Sequence, residues 1–116
     1  MNKEIIRLLS SLNGEKTENT SNYLARPYVG DIGTIIEVDM ATDISDATIY
    51  TFKVIKGDGS TTTWTPTIYN DNYLRYIVAT DDFDVAGTYV LQPYLRFADW
   101  SGYGDTVFFK VYELWR

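Results

Sequence analysis

Short runs of alternating apolar and polar residues, separated by turn signals, dominate this chain of 116 residues. A strand points successive side chains to opposite faces, so alternation gives one core face and one outer face. In residues 34–40, Ile36, Val38 and Met40 share one face, with Ile35, Glu37 and Asp39 on the other. Residues 47–56 place Tyr50, Phe52 and Val54 toward a core and Ile49, Thr51, Lys53 and Ile55 away from it. Residues 73–79 set Leu74, Tyr76 and Val78 against Tyr73, Arg75 and Ile77. Residues 105–114 set Val107, Phe109 and Val111 against Phe108, Lys110 and Tyr112. Residues 60–68 alternate threonines with Trp64 and Ile68, both expected to face in, and Pro66 confines that run to an edge or a bulge. Residues 23–29 read as a first strand, held to an edge by Pro27. Gly57-Asp58-Gly59 is a hairpin signal, and Asn70-Asp71-Asn72 tolerates left-handed backbone. About seven strands with turns every 8 to 12 residues or so predict an all-β sandwich.

Residues 82–94 join an acidic turn, through Ala86-Gly87, to the longest alternating run. Tyr89 follows the glycine by two positions. This layout resembles the corner before the penultimate strand of immunoglobulin-like sandwiches, where a Tyr near the strand start bonds back to upstream backbone. Antibody domains carry a Cys two residues after that Tyr, and here the position is Leu91. Packing, with no disulfide, is therefore expected to hold the two sheets together.

Ile5, Leu8, Leu9 and Leu12 follow the i, i+3, i+4, i+7 spacing of one helix face, with Ile6 beside them. Asn2 is a cap and Gly14 a stop for this helix. So short a helix is marginal alone, so its apolar face must pack on its own sandwich or on a neighbouring subunit. Residues 14–22 are polar and without period, a linker that spans about 25–30 Å when extended. The expected organisation is an N-terminal helical arm and linker over 1–22 and an immunoglobulin-like antiparallel β-sandwich over 23–116.

The chain contains no cysteine and no histidine. Thiol nucleophiles, Ser-His triads, imidazole acid–base chemistry and Cys or His metal sites are thereby excluded. The net charge of −6 disfavours broad nucleic-acid binding, which needs Lys and Arg against phosphate. No segment is long and apolar enough to span a membrane, and no signal peptide is read at the N-terminus. Asp81, Asp82 and Asp84 lack calcium-loop spacing and read as a solvated turn. Asp39, Asp43 and Asp46 show no aromatic cleft of the kind a glycosidase carboxylate pair needs. Neither glycine pair, Gly30 with Gly33 or Gly57 with Gly59, is followed by a phosphate-binding Lys-Ser/Thr. The expectation is a protein that is not an enzyme and uses no cofactor or metal.

Ten tyrosines in so small a chain exceed what a core needs and make an adhesive surface. The residues expected to bind partners are Ile5, Ile6, Leu8, Leu9 and Leu12 of the arm, Trp100 and Tyr103 of the loop over 98–104, and Trp115. A series of turns adds a family resemblance. Val29-Gly30-Asp31-Ile32-Gly33-Thr34 comes first, then Asp43-Ile44-Ser45-Asp46-Ala47-Thr48. Lys56-Gly57-Asp58-Gly59 and the Ala86-Gly87-Thr88-Tyr89 corner follow. In order and spacing this series is similar to immunoglobulin-like domains of tailed-phage and prophage virion proteins, including the N-terminal domain of baseplate upper proteins. Asp46 stands where that family has Gly, and Gly57 where it has Pro. The resemblance implies a structural virion part of a tail, baseplate, connector or capsid surface. Its partners would be other virion proteins or copies of itself, in a multi-copy assembly without nucleic acid or membrane. Two alternatives are a carbohydrate or host-surface module that stacks ligands on Trp64, Trp100, Tyr69 and Tyr103, and a small phage-encoded inhibitor of a host protein.

Overall fold

The computed structural model describes residues 5–10, the backbone of 22–23, and residues 26–115. The described residues form strands and turns without a helix. In chain order the strands are β1 (Ile5–Leu9), β2 (Asn22–Tyr23), β3 (Ile35–Asp39), β4 (Ile49–Ile55) and β5 (Thr61–Trp64). Then come β6 (Thr67–Tyr69), β7 (Tyr73–Ile77), β8 (Gly87–Arg96), β9 (Ser101–Tyr103) and β10 (Val107–Val111). Sheet 1 has the order β2-β1-β3-β7-β6, and sheet 2 the order β10-β8-β4-β5 with β9 beside β8. The two pack face to face as an immunoglobulin-like β-sandwich.

The core is built from the alternation read in the sequence. Ile36, Val38 and Met40 of the β3 segment are buried, as are Phe52 and Val54 of β4 and Leu74 and Val78 of the β7 segment. Tyr89, Leu91 and Leu95 of β8 meet Val107, Phe109 and Val111 of β10 there. Trp64 is buried and Ile68 packs on the same cluster. Pro66 stands between β5 and β6, so that one run of chain pairs with β4 in sheet 2 and then with β7 in sheet 1. A proline cannot donate to a ladder, and here it marks the change of sheet.

The helical arm is corrected where it is described. Ile5–Leu9 is a strand, paired parallel to β3 from Ile5↔Ile35 to Leu9↔Asp39. Five residues fit either period: Ile5, Leu8 and Leu9 share a helix face, whereas Ile6 and Leu8 share a strand face. The open edge of β3 decides between them. As a strand, β1 fills that edge and buries both Ile6 and Leu8 in the sandwich core. Each such side chain stabilises by about 1.5–3 kcal/mol. Ser10, also buried, donates its N–H to the Asp39 carbonyl at 2.8 Å and its Oγ to the Asp105 carbonyl at 2.6 Å. Residues 5–10 thus belong to the body. Leu12 lies outside the described residues.

The expected strand over 23–29 is also corrected. Among the described residues 26–29, only Tyr28 bridges, in parallel, to Tyr112 at the end of β10. Pro27 accepts from Tyr112 N–H at 2.9 Å, a role that needs no N–H of its own.

The corner ahead of β8 is built as the resemblance implied. Tyr89 Oη donates to the Val85 carbonyl at 2.7 Å. Its ring packs 5.5 Å from both Phe83 and Phe109, beneath the turn. The aspartates of this corner are more than a solvated turn. Asp82 accepts from Tyr76 Oη and, at 2.7 Å, from Ala79 N–H. Lys56 Nζ bonds Asp84 at 2.8 Å and the Asp81 carbonyl at 3.1 Å, tying the hairpin after β4 to the corner. Gly57 and Gly87 meet in that same joint, where a Cβ on Gly57 would strike the Ala86 carbonyl.

Candidate functional site

The outer face of sheet 2 combines exposed apolar side chains with positive charge. Cross-strand register arranges its outward residues in rows. Phe108, Val90, Ile55 and Thr61 form one row across β10, β8, β4 and β5. Ile55 is 44 % exposed and Phe108 48 % exposed, and no element among the described residues covers them. Toward β9, the adjoining row holds Gln92, Lys53 and Thr63. Further on, Tyr94 of β8 lies between Tyr103 of β9 and Thr51 of β4, and Arg96 between Ser101 and Ile49. Lys110, opposite Thr88, closes the other side of the apolar row. An open groove of about 600 Å³ runs along this face, lined by Lys53, Ile55, Thr63, Val90, Gln92 and Thr106 among others.

The charge of this face departs from that of the chain. The strands β4, β5, β8, β9 and β10 contain no Asp or Glu, yet carry Lys53, Arg96 and Lys110. Among the described residues neither Lys53 nor Arg96 has an ion-pair partner. Sheet 1 is organised differently. There Arg7, Glu37 and Arg75 lie side by side on β1, β3 and β7, with Glu37 buried between the two arginines. Arg7 Nε bonds Glu37 at 3.3 Å, and Arg75 Nε lies 3.2 Å from its other oxygen, out of hydrogen-bond alignment. With Asp39, the strands of sheet 1 carry two carboxylates against two arginines, and Arg75 also lies over the Tyr69 ring at 4.3 Å.

The residues expected to bind partners fall into separate places. Ile6 and Leu8 are core, while Ile5 and Leu9 are half-buried on the outer side of sheet 1. Trp115 is 97 % exposed. Trp100 and Tyr103 belong to a tight hairpin and not to a long loop, since Phe97 N–H bonds the Trp100 carbonyl at 2.6 Å and β9 pairs with β8. The two rings take opposite sides of that hairpin. Tyr103 is 53 % exposed and packs 5.1 Å from Tyr94 on the outer face. Trp100, 45 % exposed, lies over Gly102, whose partner Leu95 points into the core. Trp100 therefore caps the sandwich end beside Phe97 and leaves an edge free.

The four rings of a stacking platform do not line one groove. Trp64 is buried and stacks on Tyr76 at 4.9 Å, and Tyr69 sits on sheet 1. A second hollow, of about 440 Å³, gathers Arg26, Lys110, Tyr112 and Glu113 near the corner, with Arg26 3.8 Å over the Tyr112 ring. Among the described residues no group of three or more His, Cys, Asp or Glu is placed to hold a metal.

Ile55, Val90 and Phe108 were missed as contact residues by sequence reasoning. The signal was present: Ile55 and Phe108 alternate with core residues and so must face outward. Alternation gives the side of the sheet but not whether another element covers it.

No protein-family model matches the chain, and a search of curated proteins finds no match.

Proposed function

We propose that this chain is a structural component of a tailed-phage or prophage virion, working through protein–protein assembly contacts. One observation carries the contact role: the outer face of sheet 2 exposes Ile55 and Phe108 on a five-stranded sheet whose strands contain no carboxylate. An exposed apolar row rimmed by cations is the pattern of an interaction surface. The virion assignment rests on the ordered turn series and on the Tyr89 corner shared with the family it resembles. No dedicated chemistry is required of such a part. Many copies in a symmetric particle let individually weak contacts suffice.

Quantitative mass spectrometry of purified particles tests this reading. The expected result is the intact chain at a fixed stoichiometry relative to the major particle proteins. Its absence from particles, with abundance in the infected or induced cell lysate, would contradict a virion role.

A further inference from the structure

Two parts of the body carry opposite charge, and each has an apolar centre. The first is the outer face of sheet 2, with Ile55, Val90 and Phe108 between Lys53 and Lys110. The second is the sandwich end formed by the turns at 40–48, 70–72 and 97–100. These turns are joined by hydrogen bonds from Thr48 N–H to the Arg96 carbonyl at 2.8 Å and from Ile44 N–H to the Asp71 carbonyl at 2.7 Å. Asp43, Asp46, Asp71 and Asp99 are all exposed on these turns, and Trp100 is 45 % exposed on the last of them.

We propose that the Trp100 end of one copy docks into the sheet 2 groove of the next. The proposal rests on the assembly reading above and names its contact. Trp is enriched at binding hot spots because it buries a large ring at small entropic cost. The groove offers it Ile55 and Val90, with Phe108 alongside, while Lys53 stands where Asp99 and its neighbours arrive. The other pairings of these two patches fail on charge. Face against face sets Lys53, Arg96 and Lys110 against the same cations of a second copy. End against end sets four carboxylates against four. End on face alone brings opposite signs together, which makes the contact head-to-tail. Repetition of a head-to-tail contact closes into a ring or runs on as a filament.

Sedimentation of the full chain up to about 1 mM reads the association. The proposal expects concentration-dependent self-association in about 50 mM salt that weakens at least about tenfold in about 500 mM salt. Lys53→Glu weakens it by about tenfold or more, and Trp100→Ala by about thirtyfold. Because Trp100 also covers Gly102, Asp99→Lys serves as a second variant that leaves the ring in place. The decisive arm mixes Phe108→Asp, which lacks a working face, with Trp100→Ala, which lacks a working end. Each alone stays monomeric, and the mixture forms a dimer that grows no further. A wild-type chain that stays monomeric throughout overturns the proposal, as does association untouched by these variants or a mixture that remains monomeric. Those results would leave the virion reading to be decided by particle composition.

Discussion

Tyr89 ties sequence to fold at the residue scale. Its hydroxyl satisfies the Val85 carbonyl, and its buried ring packs between Phe83 and Phe109. Tyr89→Phe keeps the ring and removes the bond, so urea denaturation is expected to show a loss of about 1–2 kcal/mol. The same burial pushes the Tyr89 pKa up from 10.0 to about 12. Burial and the Asp82 bond push that of Tyr76 upward as well. A phenol is neutral while protonated, and the unfolded chain loses that proton first. These tyrosines therefore leave stability intact below about pH 10, and it falls as pH rises toward the folded values. Denaturation at a series of pH values should show this decline, with a shallower slope in Tyr89→Phe. Gly57 supplies a second residue-level test. Gly57→Ala drives a methyl into the Ala86 carbonyl and should cost at least about 2 kcal/mol. Gly59→Ala meets open space and only strains a backbone at φ 88°, costing about 1–2 kcal/mol.

Among the elements, β1 is where the sequence was least legible. Its five residues fit two periods, and only the β3 edge, distant in sequence, selects the strand. Strands β3, β4, β7, β8 and β10 were legible because their alternation is long enough to have one reading, and because Gly and Asn/Asp turns fix their ends. The hairpin carrying Trp100 looks like a loop in sequence because Ser101 and Gly102 have no strand preference of their own; pairing with β8 makes β9. Since β1 is core, removal of residues 1–10 should unfold the sandwich or take away most of its stability. Ile6 and Leu8 are lost, and Ile36 and Val38 lose their cover. Leu8→Ala alone should cost about 2–4 kcal/mol. Thermal melts by circular dichroism check both, and a truncated chain melting with the wild type would contradict the place given to β1.

Over the whole molecule, charge is segregated in a way that the net value of −6 conceals. Carboxylates crowd the turns, sheet 1 neutralises its own arginines around Glu37, and sheet 2 presents cations beside an apolar row. The sequence held each of these charges, but only the strand order places Lys53, Arg96 and Lys110 on one face. The candidate contact residues were legible one at a time, as outward positions on strands. Their assembly into a surface came from register, and the aromatic residues that stood out by type proved to be split between core, end cap and both sheets. Assembly through the sheet 2 face is the central claim, and amine footprinting of Lys53 tests it most directly. Lys53 should label readily in the free protein and become protected in purified particles, while Lys56, held by Asp84 at the corner, reacts equally in both. Equal labelling of Lys53 in free protein and particles would contradict assembly through this face.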